Sequence, residues 1–248
     1  NYFLRLCGVG LTGIAMRPDM NSYDYEYLKR TATSAAISMA DELGLPRPKN
    51  VTCVKPSGTL SKIMDCTEGV HKPLGKYIFN NVQFSTYDPV IPLMREAGYK
   101  VMNHPTDPTG VLVTFPVEWK DVPFHKESGK EVNLESAVHQ LDRYKLLQTS
   151  WTQQNTSVTI SYDPSEVSEI IDWLLNNWDC YVGVSFIYRT DPTKTAQDLG
   201  YLYLPQEVVD EQTYKDYVYN LKPVSLEDAN SFDEIVGDDC STGACPIK

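Results

Sequence analysis

The chain has no apolar run long enough to cross a bilayer. Its densest stretch, Ile170-Ile171-Asp172-Trp173-Leu174-Leu175, is six residues with an acid inside, where a spanning helix needs about 20. It is equally short of basic clusters. Twenty-two Lys and Arg stand against 33 Asp and Glu, for a formal net charge of −11, and the longest basic runs are pairs such as Lys29-Arg30. A surface that coats a nucleic-acid backbone needs clustered cations, so that class is excluded, while a small anion in a local pocket is not. Glycine and proline, 14 and 16 of 248 residues, are too few for a collagen-like or Pro/Gly-dominated disordered chain. Six cysteines are too thinly spread for a disulfide scaffold and predict a reducing, cytoplasmic setting. The four histidines, His71, His104, His125 and His139, include no i, i+4 pair and read as surface or loop residues. No signal-peptide pattern opens the chain. Asn1 is not an initiator methionine, which predicts processing or a piece of something longer.

What is present is a folded α/β pattern, long enough for one large domain or two small ones. Leu28, Ala32, Ala35, Met39 and Leu43 recur at helical spacing and stop at Gly44, predicting a helix over 24–43. Val51–Val54 reads as a short buried strand, followed by a turn, Lys55-Pro56-Ser57-Gly58-Thr59-Leu60-Ser61, able to open another helix. Six prolines between 84 and 130 predict short elements and long loops, with a strand near Val111–Val117. Ser157–Tyr162 alternates as a strand. Asp163, Pro164 and Glu166 then form a capping-box pattern for a helix whose expected inner face is Val167, Ile170, Ile171, Leu174 and Trp178. Tyr181–Tyr188 reads as the next strand, and a crossover this long means parallel pairing. A further helix is expected over Gln206–Asn220, and 223–248 as a mobile tail, because Leu226–Asp239 carries six acids and few bulky apolar groups.

Two places could carry chemistry. Cys240 and Cys245 have four residues between them in a Gly-containing tip and can carry two electrons as a dithiol or disulfide; a metal clip or chance pairing are the alternatives, and a zinc site lacks two further soft ligands nearby. The turn Ser57-Gly58-Thr59-Leu60-Ser61 follows a strand with hydroxyls and free backbone N–H groups, a natural phosphate cradle, although it matches no Walker loop. Cys7, Cys53, Cys66 and Cys180 read as buried, inert thiols, and Trp151 and Trp178 as core residues of the strand–helix–strand unit.

Five segments in collinear order resemble the C-terminal part of class II ribonucleotide reductases. They are Arg5-Leu-Cys-Gly-Val-Gly-Leu-Thr-Gly-Ile14, Val54-Lys-Pro-Ser-Gly-Thr-Leu-Ser61, Asp65-Cys-Thr-Glu-Gly-Val-His71, Asn155-Thr-Ser-Val-Thr-Ile160 and Cys240-Ser-Thr-Gly-Ala-Cys-Pro-Ile-Lys248. The terminal segment is most similar to the monomeric, adenosylcobalamin-dependent, thioredoxin-linked branch. The resemblance implies a ten-stranded α/β barrel of two parallel halves. This chain would supply the second half with cobalamin-facing loops over 1–222 and a redox-active tail over 223–248. It implies that Ser57, Gly58, Thr59, Leu60 and Ser61 receive the nucleotide's phosphates. It implies a ribonucleoside triphosphate substrate, adenosylcobalamin as cofactor with contacts from loops near 75–135 and 190–233, and thioredoxin as reductant. In that family homolysis of the cobalt–carbon bond leads to a cysteine thiyl radical, the ribose 2′-hydroxyl is replaced by hydrogen, and a cysteine pair becomes a disulfide that the tail cysteines reduce.

The chain departs from the family pattern in one respect. The radical cysteine belongs to an Asn-Pro-Cys-x-Glu loop, and no such string occurs in the 248 residues; the internal reducing pair and the first barrel half are missing as well. The expectation is a fragment or split subunit, inactive without its N-terminal half. An Asp-x-His-x-x-Gly cobalamin signature is also absent, which the family tolerates. A diphosphate reductase of the same class, a non-catalytic redox-relay or assembly subunit, and an unrelated phosphate-binding α/β enzyme are the alternative readings.

Overall fold

The computed structural model describes residue 3 and residues 5–225. In chain order the elements are β1 (Leu6–Leu11), α1 (Ser22–Glu42), β2 (Asn50–Val54), α2 (Gly58–Ile63), β3 (Tyr77–Ser85), α3 (Val90–Glu96), β4 (Val101–Asn103), β5 (Gly110–Glu118), β6 (His125–Glu127), β7 (Lys130–Val132), α4 (Ala137–Ser150), β8 (Thr159–Tyr162), α5 (Val167–Asn176), β9 (Ser185–Tyr188), β10 (Gln206–Val208) and α6 (Glu211–Tyr219). They divide into two compact units: the described residues up to 73 with 119–125 and 133–191, and 74–118 with 126–132 and the described residues from 192 on. No helix among the described residues is long and apolar enough to cross a membrane.

The first unit is built on parallel strands. β1 pairs with β2 and β8 with β9, both parallel, and a parallel bridge joins Val54 to Thr156 just ahead of β8. Helix α1 begins in a full capping box, with the Asn21 side chain accepting from Tyr23 N–H and Asp24 returning to Asn21 N–H. It ends where Gly44 turns left-handed (φ 64°) and Leu45 N–H reaches back to Ala40 C=O at 2.8 Å, the backbone reversal that glycine permits without a Cβ clash. The expected capping box at Asp163 and Glu166 forms as well, ahead of α5. The Glu166 carboxylate does more than cap. Its second oxygen accepts the Ala137 N–H at the start of α4 (2.8 Å), and it pairs with Arg189 at 2.8 Å, so one acid ties two helix starts to the end of β9.

The core of this unit gathers Ile14, Tyr25, Val54, Val70, Leu141, Tyr144, Leu147, Trp151, Ile160, Ile170 and Trp173. Trp151 is completely enclosed and donates its indole N–H to Cys53 C=O at 2.8 Å, which removes the desolvation penalty an unpaired N–H would carry. Several sequence expectations are corrected here. On α5 the inner residues are Ile170 and Trp173, with Leu174 partly buried, whereas Val167 and Ile171 are exposed, and Trp178 lies beyond the end of the helix and is 70% exposed. The covered stripe is narrower than expected: of the five predicted residues only Ile170 and Leu174 belong to it, joined by Trp173. Among the four described cysteines only Cys53 is buried; Cys7, Cys66 and Cys180 are half-buried. The strand expected from Tyr181 begins only at Ser185.

The second unit is an antiparallel sheet in the order β10-β3-β5-β4, which the sequence reading did not anticipate. β3 and β5 pair over nine residues each, from Tyr77 opposite Glu118 to Ser85 opposite Gly110. Pro116 is tolerated within β5 because β4 pairs only with Val111–Val113, so at Pro116 that side of the strand has no ladder to break. Helix α6 covers the sheet through ring contacts of Tyr214 on Tyr77 and Tyr217 on Phe79. The expected helix over Gln206–Asn220 is in fact strand β10 followed by α6, since Asp210 caps the helix by accepting Thr213 N–H and so sets its start. Gly75 is required by close approach: a Cβ there would lie 2.5 Å from Val208 Cγ1 and 2.7 Å from Glu131 C=O.

Candidate functional site

The carboxyl ends of the parallel strands β1 and β2 carry the segments that the sequence singles out, and this is the end of an α/β sheet where ligands bind. β2 ends at Val54, and Lys55-Pro56-Ser57 turns into α2. Ser57 adopts a left-handed conformation (φ 56°, ψ 31°), a strained state for a residue with a Cβ, costing on the order of 1 kcal/mol or more. The first intrahelical bond is Ser61 N–H to Ser57 C=O at 2.9 Å, so the amides of Gly58, Thr59 and Leu60 precede it and are donors left over by helix geometry. Gly58, Thr59 and Leu60 are exposed and Ser57 is half-buried, with its hydroxyl on Lys55 C=O only at 3.4 Å. Ser61 stands apart: it is fully buried and its hydroxyl faces Gly58 C=O at 3.4 Å. The turn thus offers one weakly held hydroxyl at Ser57, one exposed at Thr59, and three amides.

Two further segments close around it. Gly13 N–H bonds Thr67 C=O (2.8 Å) and Ile14 N–H bonds Gly69 C=O (3.3 Å). The Thr12 hydroxyl donates to Thr67 C=O at 2.9 Å and accepts Gly69 N–H at 3.0 Å. Cys66 N–H reaches Ser61 C=O at 3.0 Å, and Lys62 pairs with Glu68 at 2.7 Å. Gly69 (φ 52°) lies so close to the entry of the turn that a Cβ would stand 2.5 Å from Lys55 C=O. The neighbouring segments 54–61 and 65–71 therefore meet the distant segment 5–14 in one loop cluster. Thr12, Gly13 and Gly69 escaped the sequence reading as functional positions, although a hydroxyl next to glycine just beyond a strand was the available signal.

The remaining candidates are placed elsewhere. His71 Nε2 accepts Thr159 N–H at 3.0 Å at the start of β8. Burial is the main reason its pKa is lowered, with Arg143 acting in the same direction and Glu68 opposing. The ring is thereby held neutral and serves as an acceptor for the backbone. Burial pushes the Cys53 thiol up, which keeps it protonated and unreactive. Among the described residues no group of three His, Cys, Asp or Glu side chains is arranged to hold a metal ion. Cys240 and Cys245 lie outside the described residues.

Comparison with known proteins gives a consistent picture. No family model matches the chain. The adenosylcobalamin-dependent ribonucleoside-triphosphate reductase of Levilactobacillus brevis is 27% identical over 239 residues, 90% of this chain and 30% of that protein. The protein of the same name from Lacticaseibacillus paracasei is 28% identical over 232 residues, covering 89% of this chain and 30% of its own length. A solved B-12-dependent (class II) ribonucleotide reductase superposes with a TM-score of 0.71 at 23% identity, covering 88% of this chain and 29% of that one; at this identity the likeness speaks for the fold. The chain is thus similar along most of its length to adenosylcobalamin-dependent ribonucleoside-triphosphate reductases and spans less than a third of the length of these relatives.

Proposed function

We propose that the chain is the C-terminal portion of an adenosylcobalamin-dependent ribonucleotide reductase acting on ribonucleoside triphosphates. The observation that carries the reading is the similarity along nine-tenths of the chain. The loop cluster at the ends of β1 and β2 agrees with it, since it gathers three of the quoted motif segments around one turn. In this reading the amides of Gly58, Thr59 and Leu60 and the hydroxyls of Ser57 and Thr59 donate to the phosphate oxygens and fix the ribose relative to the strand ends. In this reading residues 1–222 bring the parallel pairs β1-β2 and β8-β9 to the second half of the barrel together with cobalamin-facing loops, and 223–248 is the redox tail.

The reaction exchanges the ribose 2′-hydroxyl for hydrogen. The hydroxyl leaves as water, and two thiols of the whole enzyme are oxidised to a disulfide. Cys240 and Cys245 then reduce that disulfide by thiol–disulfide exchange, taking up its oxidation as their own disulfide, which thioredoxin returns to the dithiol. Extended, a segment of twenty-odd residues reaches about 60 Å or more, enough to pass between an enclosed site and the exterior.

Adenosylcobalamin would supply the radical that starts this chemistry in the whole enzyme. Two pockets formed within single units measure about 370 Å³, beside Ile14, Tyr25 and Arg143, and about 550 Å³, beside His104 and Asp107. Both are of small-ligand size and too small for a corrin with its nucleotide and adenosyl groups. Neither of these two pockets could hold the cofactor alone.

The test is complementation. The chain is mixed with the remaining N-terminal portion, adenosylcobalamin, a ribonucleoside triphosphate and thioredoxin, and deoxynucleotide is measured. Product in the mixture and none from the chain alone is expected; turnover by the chain alone overturns the fragment reading. Replacing both Cys240 and Cys245 by Ser should leave about one turnover and abolish multiple turnover with thioredoxin. Undiminished multiple turnover would remove the relay.

A further inference from the structure

The brace behind the Ser57 turn has a single side chain at its centre. Segment 66–69 touches the turn at both ends: Cys66 N–H holds Ser61 C=O at the base of α2, and Gly69 presses on the Lys55 carbonyl where the chain enters the turn. That segment is in turn fixed to the end of β1. Two backbone bonds do part of this, and the Thr12 hydroxyl does the rest by bonding both Thr67 C=O and Gly69 N–H. Gly69 is buried, so its N–H has no access to a water substitute if Thr12 is removed, and an unpaired buried donor forces the local backbone to move. Because no Cβ fits at Gly69 and its backbone lies against Lys55, movement there is passed to the left-handed Ser57.

We infer that Thr12 is a positioning residue for the phosphate-receiving turn: its hydroxyl, through Gly69, holds Ser57 and the amides of Gly58, Thr59 and Leu60 in the geometry that binds the triphosphate. The inference rests on the proposed function for the ligand, while the brace itself does not. Thr12 need not touch the nucleotide. Its contribution lies in keeping three donors aligned before binding, which lowers the ordering cost at the moment of association.

The experiment compares the wild-type chain with Thr12→Val, which keeps the shape and loses both hydrogen bonds, and Thr12→Ser, which keeps them. Amide chemical shifts and hydrogen exchange at 57–61 are measured first without ligand, then during titration with inorganic tripolyphosphate and with CTP. Glu166→Gln, remote from the turn, controls for general loss of stability. Expected are faster exchange and shifted amides at 58–60 in Thr12→Val alone, with tripolyphosphate binding weaker by about tenfold, the size of one hydrogen bond. Thr12→Ser should stay within about twofold of wild type. If the amides at 57–61 are unmoved in Thr12→Val, the positioning role is overturned whatever binds. If Glu166→Gln weakens tripolyphosphate binding as much as Thr12→Val does, the effect is general destabilisation and the inference fails. If the Thr12→Val amides move but wild type shows no shift with either ligand, the brace stands and the phosphate reading falls.

Discussion

The two units use different materials for the same task of holding strands together. In the first, parallel strands are stitched by small hydroxyl and amide side chains: Thr52 donates to Trp151 C=O, Gln153 accepts Val51 N–H, Gln140 bonds both the N–H and the C=O of Ser161, and Thr152 meets Thr156. Of the nine buried polar residues among those described, seven belong to this unit. The second unit buries only Asn80 and Thr114 of that set and relies on a long antiparallel ladder covered by tyrosine and phenylalanine rings. A ladder repeats, so it tolerates small shifts; a network of unlike side chains has one arrangement in which every group is paired. The loop cluster around Ser57 lies on the networked unit.

The comparison can be broken most directly in the cores. Trp151→Ala should cost about 4 kcal/mol in urea denaturation, because it opens a cavity and leaves Cys53 C=O without its donor, while Leu112→Ala in the sheet of the second unit should cost about 3 kcal/mol. The reverse order would show that the network adds nothing to packing. Next come two glycines without room for a Cβ. Gly69→Ala should cost about 2–3 kcal/mol, since a positive φ and a backbone carbonyl both oppose it, and it should abolish tripolyphosphate binding. Gly75→Ala should cost about 1–2 kcal/mol and leave binding unchanged, because part of its clash is with the movable Val208 side chain. Equal effects on binding would sink the distinction between the units. The smallest effect concerns pH. The neutral His71 ring holds Thr159 N–H, and its folded pKa is lowered by burial from an unfolded value near 6.5. Its contribution is complete above that value and is lost as pH falls through it toward the lowered folded pKa. Melting temperature should therefore drop on acidification below about pH 6.5, and His71→Gln, whose amide oxygen can accept the same bond, should flatten that part of the profile.

Local signals were readable wherever one residue decides the backbone. Gly44 ended α1, Asp163 and Glu166 capped the helix before α5, and the short buried run Val51–Val54 marked β2. The turn at Ser57 was legible as a strand-to-helix junction for the same reason. Position on a face was less legible. Trp178 and Ile171 have the hydrophobicity of core residues, yet only contact with α4 decides which side of α5 is covered, and there Trp173 donates its indole N–H to Asp142 at 2.8 Å. The strand near Val111–Val117 was legible and is the middle of β5, but its antiparallel partners were hidden, because six prolines between 84 and 130 read as short elements and long loops, while the ladder needs N–H groups only on the sides where a partner strand lies.

Sequence alone determined the caps, the turn with its hydroxyls, the spaced cysteines at the terminus and the resemblance of five ordered segments, because each depends on residues close together or on their order. Tertiary structure alone decided that Thr12, Gly13, Thr67 and Gly69 close behind Ser57. The strands β1 and β2 bring those residues together by pairing side by side, and a contact between segments distant in the chain leaves no periodic or compositional trace in either of them.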